Sequence, residues 1–352
     1  MNLQRFDFVV IVLYFCHINK LFQKAYRRNN VESKKNYDME KNAHPFKQLL
    51  VLIGSHLGML IALELILIVV VVAMVAGGNG DAPSMLSNLD DNMGLLLAMT
   101  FVQDILLFVV PVLIVARCFY RDSKREFYHY DLSRSKWLLA LAGVATYALL
   151  TPFADWLGVW NNQWDFGQMF SFMSEEYSQM IYKIVGKAVN AGFIGLLLMV
   201  LAVAVLPAIC EELFFRVGLQ QLLGKWFRND HAAVVVTALI FSFGHLDMGG
   251  FLVRFVLGMV LGYVFLYSRS LVPNVMLHFL NNAVITVSTY FALCNGKSMA
   301  ELEHEQPWML HWLPTTICTI AAIVLFWYCF VRKRNTVQQQ SDDSEPQSPV
   351  NC

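Results

Sequence analysis

The sequence predicts an all-α fold, a polytopic membrane helix bundle with about eight transmembrane helices. Three observations predict it. Hydrophobic residues make up 57% of the 352 residues and charged residues only 15%, against about 45–50% and roughly 25% in soluble domains. The apolar residues gather in runs close to the ~20 residues that a ~30 Å hydrocarbon layer requires. Basic residues are concentrated in alternate connections, as the positive-inside rule demands. The 26 Lys and Arg balance 26 Asp and Glu, so the chain lacks the basic excess of a nucleic-acid binder. Its hydrophobicity equally excludes an intrinsically disordered chain.

Eight runs qualify: Leu49–Ala76, Leu95–Ala116, Trp137–Phe153, Ala188–Ile209, Ala232–His245, Phe251–Tyr267, Leu271–Leu293 and Trp308–Val331. The fifth is short. A further run, Phe8–Cys16, is too short to cross and has no convincing signal-peptide cleavage site. Met39, ahead of a polar stretch, reads as an alternative start. The long third connection, about Asp155 to Lys187, is aromatic; its DWLGVW and WDFGQMFSFM stretches read as amphipathic segments along the interface. The seven cysteines are scattered without any CxxC and read as small apolar fillers.

Nine Lys/Arg precede the first span, six lie in the second connection, three in the fourth (Arg216, Lys225, Arg228), one in the sixth (Arg269), and three open the C-terminal tail. The other side holds Lys183, Lys187, Arg254 and Lys297. Both termini are therefore expected in the cytoplasm, with the protein a multi-pass component of the plasma or inner membrane. The organisation read from this is a cytoplasmic segment 1–47, a membrane domain 48–331 with its motif core at 188–287, and a disordered tail 332–352.

Ionisable residues inside a span are costly and point to function. The densest case is Glu211-Glu212-Leu-Phe-Phe-Arg216. Glu212 and Arg216 are four apart in the favourable acid-before-base order and can pair, which leaves Glu211 free to act as a base. The bland alternative is a charged helix end at the interface. A second case is Phe241-Ser-Phe-Gly-His245, whose histidine alone would be an interior residue. The third is His278-Phe-Leu-Asn-Asn282, with His278 and Asn282 on one helix face. Both can donate hydrogen bonds, as an oxyanion stabiliser must. Alone, that pair would be an interhelical polar contact. Between the first two motifs sits the turn Lys225–His231, centred on Arg228, and Glu211 and His245 lie 17 residues to either side of it. Two helical arms would bring them to one depth, roughly 20 Å from the turn. The fourth helix must then continue to about Gly224, with Pro207 able to bend it before the glutamates.

In this order, EELFFR, FSFGH and HFLNN resemble the EExxxR, FxxxH and HxxxN signatures of the CPBP intramembrane protease family. That family contains the type II CaaX prenyl endopeptidases and the bacteriocin-processing (Abi-type) and bacteriocin-immunity proteins. The similarity covers about 188–287. It implies a membrane-embedded endopeptidase in which Glu211 and His245 activate water, His278 and Asn282 steady the oxyanion, and Glu212 and Arg216 support them. It implies a membrane-associated peptide or protein substrate. Prenylation of that substrate is not readable from these residues. Family members are commonly labelled metalloproteases. A zinc ion would want three ligands and an open position, which Glu211, His245 and His278 could supply; no HExxH occurs, and zinc stays open.

Two other classes compete. A transporter would line a polar path with Glu64, Asp104, Asp155 and Glu211, but no repeat in matching halves is visible. A non-catalytic immunity-type scaffold would keep the fold without need of the four intact motif residues. Glu64 and Asp104 read most simply as interior polar contacts.

Overall fold

The computed structural model describes residues 44–76, 93–120, 127–129, 133–164, 167, 183–297, 301 and 312–332. Most of the 1–47 segment, most of the Gly78–Met93 loop, most of the WDFGQMFSFM stretch and nearly all of the 332–352 tail lie outside the described residues. The described residues hold helices and turns and no strand.

Among the described residues, eight long helices form the bundle: α1 (Pro45–Ala76), α2 (Gly94–Phe119), α3 (Arg134–Asn161), α4 (Gly192–Phe227), α5 (Asp230–Phe243), α6 (Phe251–Ser268), α7 (Leu271–Cys294) and α8 (Leu313–Val331). All but α5 are long and apolar enough to cross a membrane. Each coincides with a run read from hydropathy. At the polar boundaries the helices reach further than the runs. α4 extends to Phe227, past the expected Gly224. α3 does not stop at Phe153: it continues through Pro152 to Asn161. The DWLGVW stretch is thus the end of a membrane helix and not a separate interfacial segment. Its Trp156 and Trp160 are exposed, where an aromatic belt belongs.

Caps mark the tight connections. Arg228 ends α4 in the left-handed region at φ 54°. Asn229 then caps α5, its Oδ1 accepting from the amides of His231 and Ala232 at 3.1 Å. Arg269, at φ 49°, closes α6, and Ser270 caps α7. These two turns make α4–α5 and α6–α7 antiparallel hairpins.

α5 and α6 pack closest. On α6, Gly258 and Gly262 form a small-xxx-small face that lets helix backbones approach in lipid. A Cβ at Gly262 would stand 2.7 Å from Val234 Cγ1 on α5, and one at Gly258 3.1 Å from Ala238 Cα. α3 packs on α6, α7 and α8 around Leu139, Leu257, Leu261, Val264, Leu277 and Phe330. α1, α2 and α4 meet around Leu52, Val112, Val115 and Val217.

α4 is α-helical only in pieces. Val200–Val205 and Leu213–Gln220 are π-helical, and Glu211 and Glu212 end the short α segment Leu206–Glu212 between them. Pro207 stands inside α4, directly after the first π segment, where its missing N–H interrupts the helical hydrogen-bond ladder. π turns widen the helix and recur at functional sites. The five described cysteines are free thiols.

Candidate active site

Glu212 is the centre of the polar interior. It is 0% exposed, as is Arg216. Its Oε2 accepts from Arg216 Nε at 2.8 Å and from Asn274 Nδ2 at 3.1 Å. Its Oε1 lies 3.0 Å from His278 Nδ1. Arg216 continues the network: Nη1 donates to Gln220 Oε1 at 3.4 Å, and Gln220 Nε2 donates to the Gly262 carbonyl at 2.9 Å. Asn274 also donates to the Leu261 carbonyl at 2.7 Å. Buried charge is tolerated only when so paired. Arg216, counted from sequence among the basic residues of the fourth connection, is an interior partner of Glu212 and not a loop charge.

Glu211, one residue earlier, points elsewhere. Its Oε2 is buried and has no hydrogen-bond partner within the protein. It is close enough to His278 and to Asp104 for their charges to act on it. Asp104, on α2, is 8% exposed and also holds a buried carboxylate oxygen without a partner. The interior location expected for Asp104 is therefore observed. Glu64 is different: it is exposed on the outer face of α1 and is not an interior contact, because α1 beyond Leu52 contributes no buried residue to the bundle.

His245 follows the end of α5. Its Nδ1 lies 2.8 Å from the Phe241 carbonyl. A carbonyl only accepts, so Nδ1 carries the hydrogen and Nε2 is the free nitrogen. His278 turns its Nδ1 to the Glu212 carboxylate. The Phe241 ring neighbours both imidazoles, 5.0 Å from His245 and 5.9 Å from His278, centre to centre. Phe215 meets its edge at 5.1 Å, and the Arg216 guanidinium lies 5.7 Å from its centre.

Asn282 lies on α7 one turn beyond His278. Its Nδ2 donates to the Val203 carbonyl in the first π segment of α4 at 3.3 Å, and its Oδ1 accepts from Asn281 at 3.0 Å. One of its two amide hydrogens is used and the other remains.

The structure therefore brings Glu211, Glu212, Arg216 and His278 into one interior, with His245 across Phe241 and Asn282 against α4. Asn274 was missed from sequence, although Asn274, His278 and Asn282 recur every four residues and so share a face of α7. Among the described residues, no three His, Cys, Asp or Glu side chains gather so as to hold a metal ion. Glu211, His245 and His278 do not form a closed ligand set, and zinc does not fit the donors as they stand.

Residues 193–284, about a quarter of the chain, match the family model described as Rce1-like, type II CAAX prenyl endopeptidase Rce1-like. The match spans all three motifs and agrees with their CPBP resemblance. The family is one of proteases acting at membranes. No curated protein matches, and no solved structure matches.

Proposed function

We propose that the protein is an intramembrane endopeptidase that hydrolyses peptide bonds in or near the bilayer. The observation that carries this reading is the contrast between adjacent glutamates. Glu212 is fully paired to Arg216, Asn274 and His278, while Glu211 keeps a buried, unpartnered oxygen beside them.

The chain's own groups suffice for the reaction. Glu211 removes a proton from water, and His245, through its free Nε2, accepts a hydrogen bond from the same water and orients it. The water oxygen attacks the scissile carbonyl carbon, and the carbonyl oxygen becomes an oxyanion. Doubly protonated His278 donates Nε2–H to that oxygen while Nδ1–H stays on Glu212, and Asn282 adds its remaining amide hydrogen. Donors preset for the charge that develops stabilise the transition state most. The C–N bond then breaks, and Glu211 returns the proton to the leaving amine.

The reactive unit is 48–331, with its motif core at 188–287. The substrate is a membrane-associated peptide or protein, and the family match favours a prenylated one. The test is cleavage by purified protein in nanodiscs of a membrane-tethered peptide, with and without a farnesylated cysteine. Cleavage of the lipidated peptide alone supports the prenyl reading; cleavage of both keeps the protease and removes the lipid requirement; cleavage of neither contradicts it.

The asymmetry of the basic residues favours both termini in the cytoplasm. Labelling of single cysteines in intact cells should reach 78–93 and spare 121–133; the reverse pattern would invert the topology.

A further inference from the structure

The geometry points to Asn161, at the end of α3 and outside the family match, as the residue that positions His245. This rests on the reading of His245 as a working residue of the protease site.

α5 is 14 residues long, about 21 Å at ~1.5 Å per residue, and cannot span a ~30 Å hydrocarbon layer. His245 therefore follows a helix that ends within the bilayer, on the non-helical connection 244–250. Such backbone survives at that depth only if its polar groups are satisfied by protein. Asn161 does this at two points. It is 0% exposed. Its Nδ2 donates to the Met248 carbonyl at 2.7 Å, and its Oδ1 accepts from the Leu252 amide at 2.8 Å. One planar amide thus grips both sides of the turn from 87 residues away in sequence.

The rest of the connection is braced around this grip. Asp247 accepts from the Gly249 amide at 3.1 Å and pairs with Arg254 Nη1 at 2.8 Å, and Arg254 also donates to the Asp247 carbonyl. Ser242 Oγ donates to the Phe251 carbonyl. Close approach finishes the seat: a Cβ at Gly249 would stand 2.9 Å from Asn162 Oδ1, and one at Gly158 of α3 3.1 Å from Val253 Cγ2. Leu246, next to His245, sits in the left-handed region at φ 56°, a conformation that persists only where the surroundings hold it. A strained residue beside a working histidine needs an external clamp, and Asn161 supplies it.

The test uses the full chain in nanodiscs with a farnesylated membrane-tethered peptide. Wild type, Asn161→Ala, Asn161→Asp and the exposed Gln163→Ala are compared. Asn161→Ala should lower kcat about 10–100-fold, as a misplacement near 1 Å does, with KM within about threefold because substrate contacts are intact. Asn161→Asp keeps the acceptor for Leu252 and loses the donor to Met248, so it should fall between; Gln163→Ala should match wild type. Amide hydrogen exchange on the same samples should show protection lost across 244–252 in Asn161→Ala and retained elsewhere. Wild-type kcat with wild-type protection at 244–252 would overturn the inference. A raised KM at unchanged kcat would do so too. Should wild type itself fail to cleave, the protease reading falls, and hydrogen exchange still decides whether Asn161 holds the turn.

Discussion

The surroundings of Glu212 and those of Glu211 are one residue apart in sequence and opposite in physics. Around Glu212 both carboxylate oxygens are engaged, by Arg216, Asn274 and His278. Around Glu211 one oxygen is buried without a partner, and the nearby Asp104 holds another. Under the proposed function, the difference divides the interior into a frame and a reactive edge. A fully paired carboxylate fixes the positions of its three partner side chains; an unpaired one keeps its lone pairs for a proton. Water-poor surroundings make both halves matter, since unpaired charge is expensive there and preset donors are strong.

The comparison can be broken first at the frame. Glu212→Ala leaves Arg216 buried without its countercharge, a loss on the order of 3–5 kcal/mol. Thermal unfolding in detergent should show a large drop or no folded protein, and an unchanged melting temperature would mean that Glu212 is no frame. Next comes the reactive edge. Asn282→Ala should reduce kcat on the order of 10²–10³-fold with KM nearly unchanged. Asn282→Asp is the sharper version, because it keeps the size and places potential negative charge where the oxyanion forms. Full kcat with raised KM in steady-state cleavage would make Asn282 a binding residue. The smallest effect tests how far the frame extends. Gly262→Ala forces a methyl group to 2.7 Å from Val234 and 3.2 Å from Gln220, and overpacking of this kind costs about 1–3 kcal/mol. Stability should fall by that amount with substrate affinity kept; a neutral result would detach Gln220 from the network.

The helices were legible because each lipid-crossing run is continuous, and hydropathy recovers all eight. Their ends were not, because polar residues can continue a helix once protein partners satisfy them, as with Glu212 and Arg216 in α4. The three motifs pointed to the polar interior around Glu212, and the Glu212–Arg216 pair followed from spacing alone. Asn274 was readable from the four-residue recurrence on α7. Asn161 was not, because its partners are backbone groups of a distant connection that no spacing rule reaches. The π segments flanking the glutamates leave no periodic signal in so apolar a sequence. Glu64 was misread because burial on α1 depends on which helices pack there.

The most direct measurement is a paired one: activity and melting temperature of Glu211→Gln and Glu212→Gln, purified side by side and assayed on the same membrane-tethered peptide. Removing a general base costs about 10²–10⁴-fold, and Glu211→Gln should lose that much turnover while its melting temperature stays close to wild type, because no hydrogen bond to Oε2 is lost. Glu212→Gln should melt lower and keep part of its activity, because it weakens the pairing with Arg216 and His278. An inactive Glu212→Gln of wild-type stability, beside an active Glu211→Gln, would contradict the account and assign the base to Glu212.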